Sequence, residues 1–150
     1  MTAREAYGPL RAARGRLAAA VVLAACSHAP ARAPAPPAPE KSVQLNAPGA
    51  PVDLAAVLPA GYVTVVDFWS ESCHACVMIG GMLAVGVAKD PRVVIRKIDV
   101  GDGFTPVARD YHIDALPHYQ IYDKRKRLRY DLVGSDCVEA SAIARQLAAE

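Results

Sequence analysis

One stretch near the middle of the chain, residues 63–76, limits the folds that this sequence can adopt. Its first half is apolar and β-branched apart from one carboxylate, Asp67. A short apolar run of this kind is typical of a buried parallel strand, which we expect over residues 62–68. The second half is a Cys-x-x-Cys, Cys73 to Cys76, that continues into apolar residues and indicates the first turn of a helix. The sequence therefore predicts a strand that leads two thiols to the N-terminus of a helix.

Two thiols at a helix N-terminus have a chemical use. The free N–H groups and the positive end of the helix dipole stabilise a thiolate, and the thiolate is the species that attacks disulfides. A zinc site needs further ligands, but no second Cys-x-x-Cys and no His pair follows. A c-type haem site needs a His where Val77 stands. The spacing favours a redox pair over a metal site or a chance pair of cysteines.

These residues also carry a resemblance to a known family. The stretch resembles the active-site strand and helix of the thioredoxin family through Val66-Asp67-Phe68-Trp69 and Cys73-His74-Ala75-Cys76-Val77-Met78-Ile79. Further matches follow in the family's order and at its distances: Lys97-Ile98-Asp99, Ala115-Leu116-Pro117 and Val133-Gly134. The likeness covers about residues 43–150. It implies an α/β protein of thioredoxin-like fold, whose redox-active Cys73–Cys76 disulfide needs no other cofactor.

The order of the predicted elements agrees with this fold. We expect strands over residues 42–45, 62–68, 92–100, 118–122 and 128–133. We expect helices over residues 51–58, 76–89 and 105–111, and a last helix with Asp136 as N-cap and Glu139 three residues later, a pattern like a capping box. Strands that alternate with helices and end in a hairpin and a helix fit a central mixed β-sheet flanked by helices on both faces.

The chemistry of the site is divided among five residues. We expect Cys73 to be the exposed nucleophile and Cys76, one turn inside the helix, to be the resolving thiol. Asp67 has apolar neighbours, which predict a raised pKa, and the resemblance implies that it carries a proton beneath Cys76. The resemblance also implies that Lys97 pairs with Asp67; an exposed strand residue is the alternative. When protonated, His74 would stabilise the Cys73 thiolate and make the disulfide more oxidising.

The substrate side of the site follows from the resemblance as well. It implies a cis peptide bond before Pro117, in a loop that packs against the dithiol and offers backbone groups to an extended substrate. Leu116 and His118 flank this proline and would shape the pocket, and Trp69 and Gly134 complete the predicted substrate-binding set.

Three other features depart from the family or lie outside its motifs. Ser72 and Val77 replace the Trp and Lys that are usual beside the two cysteines, so we expect a substrate other than that of a general thioredoxin. Cys137 has no family counterpart, and we expect a packed thiol in the first turn of the last helix. The basic turn at residues 124–129 is either a solvated hairpin tip or a docking site for acidic groups.

The N-terminal part of the chain predicts export. Three arginines, Arg11, Arg14 and Arg16, precede an apolar run over residues 17–25, as in a secretory signal peptide. The run ends in Leu23-Ala24-Ala25-Cys26, which resembles a bacterial lipobox and implies that Cys26 carries lipid. Ser27 favours the outer membrane over the inner one by resemblance. We therefore expect a signal peptide over residues 1–26, an Ala/Pro-rich linker over residues 27–41 and a thioredoxin-like domain over residues 42–150.

Together these features predict a membrane-tethered, periplasm-facing thiol–disulfide oxidoreductase. Its partners would be cysteine pairs of exported proteins and a membrane electron donor or acceptor. The alternative is a copper metallochaperone that uses the same dithiol. Nucleic acid is not an expected partner, because residues 41–150 contain 12 Lys and Arg against 13 Asp and Glu.

Overall fold

The computed structural model describes residues 37–150. The predicted signal peptide, the lipobox Cys26 and most of the predicted linker lie outside the described residues. Within residues 37–150, no helix has the length and apolar character needed to cross a membrane.

A five-stranded mixed sheet forms the centre of the domain, in the order β1-β3-β2-β4-β5. The strands β1, β3 and β2 run parallel, β4 pairs antiparallel with β2, and β5 pairs antiparallel with β4. Their bounds are Ser42–Gln44 for β1, Val63–Trp69 for β2, Val93–Asp99 for β3, His118–Tyr122 for β4 and Leu128–Val133 for β5. All five predicted strands are present. The active-site strand β2 lies in the middle, so it is buried on both faces.

Helices cover both faces of this sheet. Their bounds are Leu54–Val57 for α1, His74–Val87 for α2, Pro106–Asp110 for α3 and Ala140–Ala149 for α4, with a 3-10 helix at Gly134–Glu139 before α4. Buried side chains of α2 and α4 share one core cluster with Val63 and Val65 of β2. Those of α1 and α3 share the other with Val66 and Phe68. The predicted α/β architecture is therefore confirmed, and strand alternation places Asp67 on the α2 face.

Several predicted helix boundaries differ from the structure. Helix α1 begins at Leu54, after its N-cap Asp53, rather than at residue 51, and α2 ends at Val87 rather than about residue 89. Helix α2 begins at His74 rather than about Cys76, because Cys73 is its N-cap and the Cys73 sulfur accepts a hydrogen bond from the Cys76 amide. The predicted N-cap at Asp136 is wrong. Asp136 lies inside the 3-10 helix, and α4 follows Glu139 with no capping side-chain hydrogen bond. The cause is Gly134, whose positive φ of 61° starts the tight turn directly after β5.

The basic turn at residues 124–129 contacts the rest of the domain. Arg127 pairs with Asp123 at 2.7 Å, and Arg129 lies 3.3 Å from Glu150. Burial by itself would raise the pKa of Asp123. Hydrogen bonds from Arg127 and Arg125 outweigh that effect and lower the pKa to about 2. Arg127 and Arg129 thus pair with carboxylates of the domain itself. This pairing favours the solvated hairpin tip over a docking site.

Candidate active site

The two cysteines of the motif are joined by a disulfide with an S–S distance of 2.04 Å. Cys73 is partly exposed, whereas Cys76 is 3% exposed. The Cys76 amide donates to the Cys73 sulfur at 3.1 Å. The first turn of α2 therefore presents an N–H group to the sulfur that becomes the thiolate on reduction, which lowers the free energy of that charged form.

A buried carboxylate lies beneath the dithiol. Asp67 is 2% exposed, and it lines a cavity of about 290 Å³ together with Cys76. Burial raises the pKa of Asp67 to about 6, and the positive charge of Lys97 acts against this shift. A carboxyl group with this pKa can exchange protons near neutral pH, as an acid–base group next to a thiol requires.

Lys97 and Trp69 border the same cavity. Lys97 is the register partner of Asp67 on the neighbouring strand β3. Among residues 37–150, no ion pair joins the two; the Lys97 ammonium instead lies 4.3 Å from the centre of the Trp69 ring. The Trp69 indole N–H donates to Gln44 at 3.0 Å, so the ring has a fixed orientation. Lys97 therefore acts on Asp67 through its electric field and contacts Trp69 directly.

The loop before β4 contains a cis peptide bond between Leu116 and Pro117, as the resemblance implied. The carbonyl oxygen of Pro117 accepts a hydrogen bond from the Gly134 amide at 2.8 Å. The Cys137 thiol, 1% exposed, donates to the same oxygen at 3.5 Å. Two groups at the start of the 3-10 helix thus fix the position of this loop.

A second, larger cavity opens on the other side of Cys73. Its volume is about 790 Å³, and its apolar lining includes Leu116, Val100 and the exposed Phe104. On α2, the apolar side chains of Val77 and Met78 are also exposed close to the dithiol. Exposed apolar groups of this kind are typical of surfaces that bind other proteins.

The comparisons with known proteins agree with this geometry. The family model for thioredoxin matches residues 55–149. The chain belongs to the thioredoxin family. Its Cys73–Cys76 pair at disulfide distance makes it a thiol–disulfide oxidoreductase, whose substrates are expected to be disulfides of proteins. Proteins of this family need no cofactor beyond the redox cysteines.

Solved thioredoxin structures share the fold. The reduced thioredoxin pre-protein of Schistosoma mansoni is 24% identical with a TM-score of 0.58, and the match covers 72% of this chain and 99% of that one. Thioredoxin of Malassezia sympodialis is 24% identical with a TM-score of 0.56, covering 73% and 94%. A second S. mansoni thioredoxin structure is 25% identical with a TM-score of 0.56, covering 71% and 94%. No curated protein matched the sequence.

The structure brings most of the predicted thioredoxin site together. Asp67, Trp69, Cys76 and Lys97 share one cavity, and Cys73 and Leu116 share the other. His74 is exposed at the first position of α2, between the two cysteines. Gly134 contacts the backbone of Pro117 rather than lining a cavity.

His118, another of the predicted residues, lines neither cavity. Its side chain is buried and contacts the Asp131 carboxylate. Its ring lies edge-on to the Phe68 ring, with 5.9 Å between the ring centres. The prediction that this side chain shapes the substrate pocket is therefore wrong, because the strand geometry turns it into the core of the α1 and α3 face.

Two residues of the site were missed as functional candidates. Tyr119 is fully buried and is the register partner of Asp67 on β4. Gly80, one turn after Cys76, lies above both side chains. A tyrosine two residues after the predicted cis proline was the available signal for the first; no sequence signal was available for the second.

Metal binding has no support in the described part of the chain. Among residues 37–150, no group of three or more His, Cys, Asp or Glu side chains is arranged to hold a metal ion. Nothing in the site favours the copper hypothesis over disulfide exchange.

Proposed function

We propose that this thioredoxin-family protein is tethered to a membrane, faces the periplasm and exchanges disulfides with cysteine pairs of exported proteins. The observation that carries the chemical part is the disulfide at the N-terminus of α2, in which the Cys73 sulfur accepts the Cys76 amide hydrogen bond. The exposed apolar groups beside Cys73 support a polypeptide as substrate. The signal-like N-terminus supports the location.

The reduced protein acts in two steps. The Cys73 thiolate attacks one sulfur of the substrate disulfide. The substrate S–S bond breaks, its electron pair leaves on the second substrate sulfur, and Cys73 is joined to the first. Cys76 then gives its thiol proton to the Asp67 carboxylate, and its sulfur attacks the Cys73 sulfur. The bond between Cys73 and the substrate breaks, and the substrate leaves as a dithiol after taking up protons.

The surrounding residues support these steps. Asp67, with its pKa raised to about 6, is mostly ionised at neutral pH and accepts the proton of Cys76. Lys97 stabilises the charge of Asp67, and His74, when protonated, adds positive charge near the Cys73 thiolate. The loop at Pro117 holds the substrate beside the dithiol through its backbone. A membrane electron donor or acceptor returns the dithiol to its starting state.

Reduction of insulin disulfides by the full chain, with dithiothreitol as reductant, tests the chemistry. Cys73→Ser should abolish turnover, because the nucleophile is lost. Cys76→Ser should accumulate mixed disulfides with insulin, which non-reducing gels and mass spectrometry detect. Cys26→Ala is the matched control, since it removes a cysteine outside the dithiol and should keep parental turnover. Turnover by Cys73→Ser would overturn the assignment of the nucleophile.

The membrane tether is tested separately in a bacterial host. The parental chain should incorporate radiolabelled palmitate and fractionate with membranes, mainly the outer membrane on a density gradient. Cys26→Ala should lose the label and either enter the soluble periplasm or remain unprocessed. Cys137→Ser, which changes a buried cysteine of the folded domain, should keep the label. Equal membrane association and equal mobility of parent and Cys26→Ala would contradict the tether.

A further inference from the structure

Two buried polar atoms beneath the dithiol lack hydrogen-bond partners within residues 37–150. They are Oδ1 of Asp67 and the hydroxyl oxygen of Tyr119. Tyr119 is fully buried and Asp67 is 2% exposed. A buried polar group without a hydrogen-bond partner costs folding free energy. Two such groups face each other in register on β2 and β4, which indicates that they act together.

Gly80 shows where the two groups meet. A Cβ atom built on Gly80 would lie 3.6 Å from Oδ2 of Asp67 and 3.8 Å from the hydroxyl oxygen of Tyr119. The Tyr119 hydroxyl and the second oxygen of the Asp67 carboxylate, Oδ2, therefore both lie close to one point under α2, where the glycine has no side chain. The cavity of about 290 Å³ that contains Asp67 and Cys76 also reaches Gly80. Tyr119 does not line this cavity, but its hydroxyl lies close to Gly80, so a water molecule held there would have both Asp67 and Tyr119 as the polar partners that buried water needs.

We propose that Tyr119 is a positioning residue for the Asp67 carboxylate, to which its hydroxyl donates through a water molecule held against Gly80. This inference rests on the proposed function, in which Asp67 accepts the proton of Cys76. The hydrogen bond stabilises the charged form of Asp67. Tyr119 thereby sets the lower end of the pH range in which Cys76 can be deprotonated and attack the Cys73 sulfur.

The other groups that face Asp67 do not supply this hydrogen bond. They are Lys97 from β3, Cys76 from α2 and the Cys137 thiol from the 3-10 helix. Lys97 contacts the Trp69 ring, and the Cys137 thiol donates to backbone carbonyls. Burial, and then the negative charge of Asp67, raise the pKa of Tyr119. The phenol therefore stays protonated and acts as a donor, while the Cys76 proton goes to Asp67.

Replacement of Tyr119 by Phe in the full chain tests the inference, because it removes only the hydroxyl. The pH titration of the Asp67 carboxyl, followed by ¹³C NMR, should move upward by about one pH unit. The acid limb of the pH profile of the resolving step should move by the same amount. The rate should fall by up to about tenfold below the midpoint and stay near the parental value well above it. Tyr122→Phe, which removes a phenol of the other core cluster, is the control and should leave the titration unchanged.

A second pair of variants tests the water site without changing Tyr119. Gly80→Ala places a methyl group 3.6 Å from Oδ2 of Asp67 and 3.8 Å from the Tyr119 hydroxyl oxygen, where the water would lie, and should also raise the Asp67 midpoint. Gly81→Ala adds the same methyl group one residue later, where it meets nothing within 4 Å. This variant should leave the Asp67 midpoint unchanged. The Gly80→Ala and Tyr119→Phe double variant should shift the midpoint no further than Tyr119→Phe alone.

An unchanged or lowered Asp67 midpoint in Tyr119→Phe would overturn the inference, as would additive shifts in the double variant. If Tyr119→Phe does not fold, equal midpoints for Gly80→Ala and Gly81→Ala would overturn it. The carboxyl titration is independent of turnover. A parental protein without insulin reductase activity would therefore refute the proposed function while the coupling of Tyr119 to Asp67 remained measurable.

Discussion

His74 lies at the first position of α2, between the two cysteines, with its side chain exposed. A positive charge there stabilises the Cys73 thiolate, and hence the reduced form, which raises the reduction potential. We predict that His74→Gly lowers the potential of the pair by about 20–40 mV, since 30 mV corresponds to roughly 1.4 kcal/mol for two electrons. Equilibration with glutathione buffers measures this shift. His74→Lys places a permanent positive charge at this position and should not fall below the parental potential; a potential of His74→Gly at or above the parental value would contradict the prediction.

Single residues of the site differ in how far the sequence predicts them. Cys73, Cys76 and the cis bond before Pro117 follow from motifs whose order and spacing are specific. The orientation of His118 and the closeness of Tyr119 to Asp67 do not follow from any motif. Strand β2 is an apolar run that is buried on both faces, and the alternation of His118 and Gln120 with Tyr119 and Ile121 in β4 does not show which side of the sheet each pair takes. Only the pairing of the two strands shows that Tyr119 faces Asp67.

At the scale of elements, the strands were predicted more closely than the ends of helices. Both strands of the β4–β5 hairpin have their predicted bounds. Helix α2 begins before its predicted start because a cysteine sulfur, which is not a usual capping group, accepts the Cys76 amide hydrogen. The 3-10 turn before α4 depends on a tertiary contact, the hydrogen bond from Gly134 to Pro117, which local sequence does not encode.

Two glycines of α2 provide a test at this scale. A Cβ on Gly81 meets nothing within 4 Å, so Gly81→Ala should stabilise the domain by about 0.5–1 kcal/mol through helix propensity and a less flexible unfolded chain. A Cβ on Gly86 would lie 2.6 Å from the side chain of Ser141 on α4. Gly86→Ala should therefore destabilise the domain by about 1–3 kcal/mol. Urea unfolding of the oxidised protein measures both changes. A stabilised Gly86→Ala would show that α2 and α4 separate easily.

The whole molecule explains why Asp67 is both buried and ionisable. The central position of β2, covered by α2 and α4 on the Asp67 face, follows from the order of strands and helices in the sequence. The depth at which Asp67 is buried does not follow from this order, because it depends on how closely α2 packs. The sequence thus predicts a raised pKa for Asp67, whereas its size and the cavity that joins Asp67 to Cys76 require the assembled domain.

Asp67 should make the stability of the oxidised protein fall as pH rises. Its pKa is about 6 in the folded protein, against an ordinary value of 3.8, so between these values the folded state binds more protons than the unfolded state. The free energy of unfolding therefore decreases through this window, and above it the ionised Asp67 costs the fold about 3 kcal/mol. Asp67→Asn removes this charge but keeps a buried amide. It should gain about 1–3 kcal/mol at a pH of about 8 and nothing at a pH of about 3.

Urea unfolding of the parent and of Asp67→Asn across this pH range measures the difference. Asp110→Asn, which changes an exposed carboxylate at the end of α3, is the control, and its difference from the parent should stay within about 0.5 kcal/mol at each pH. A gain for Asp67→Asn that is the same at low and high pH would mean that packing, and not the charge, limits stability at this position. A loss at high pH would mean that the ionised carboxylate has stabilising partners strong enough to outweigh its burial.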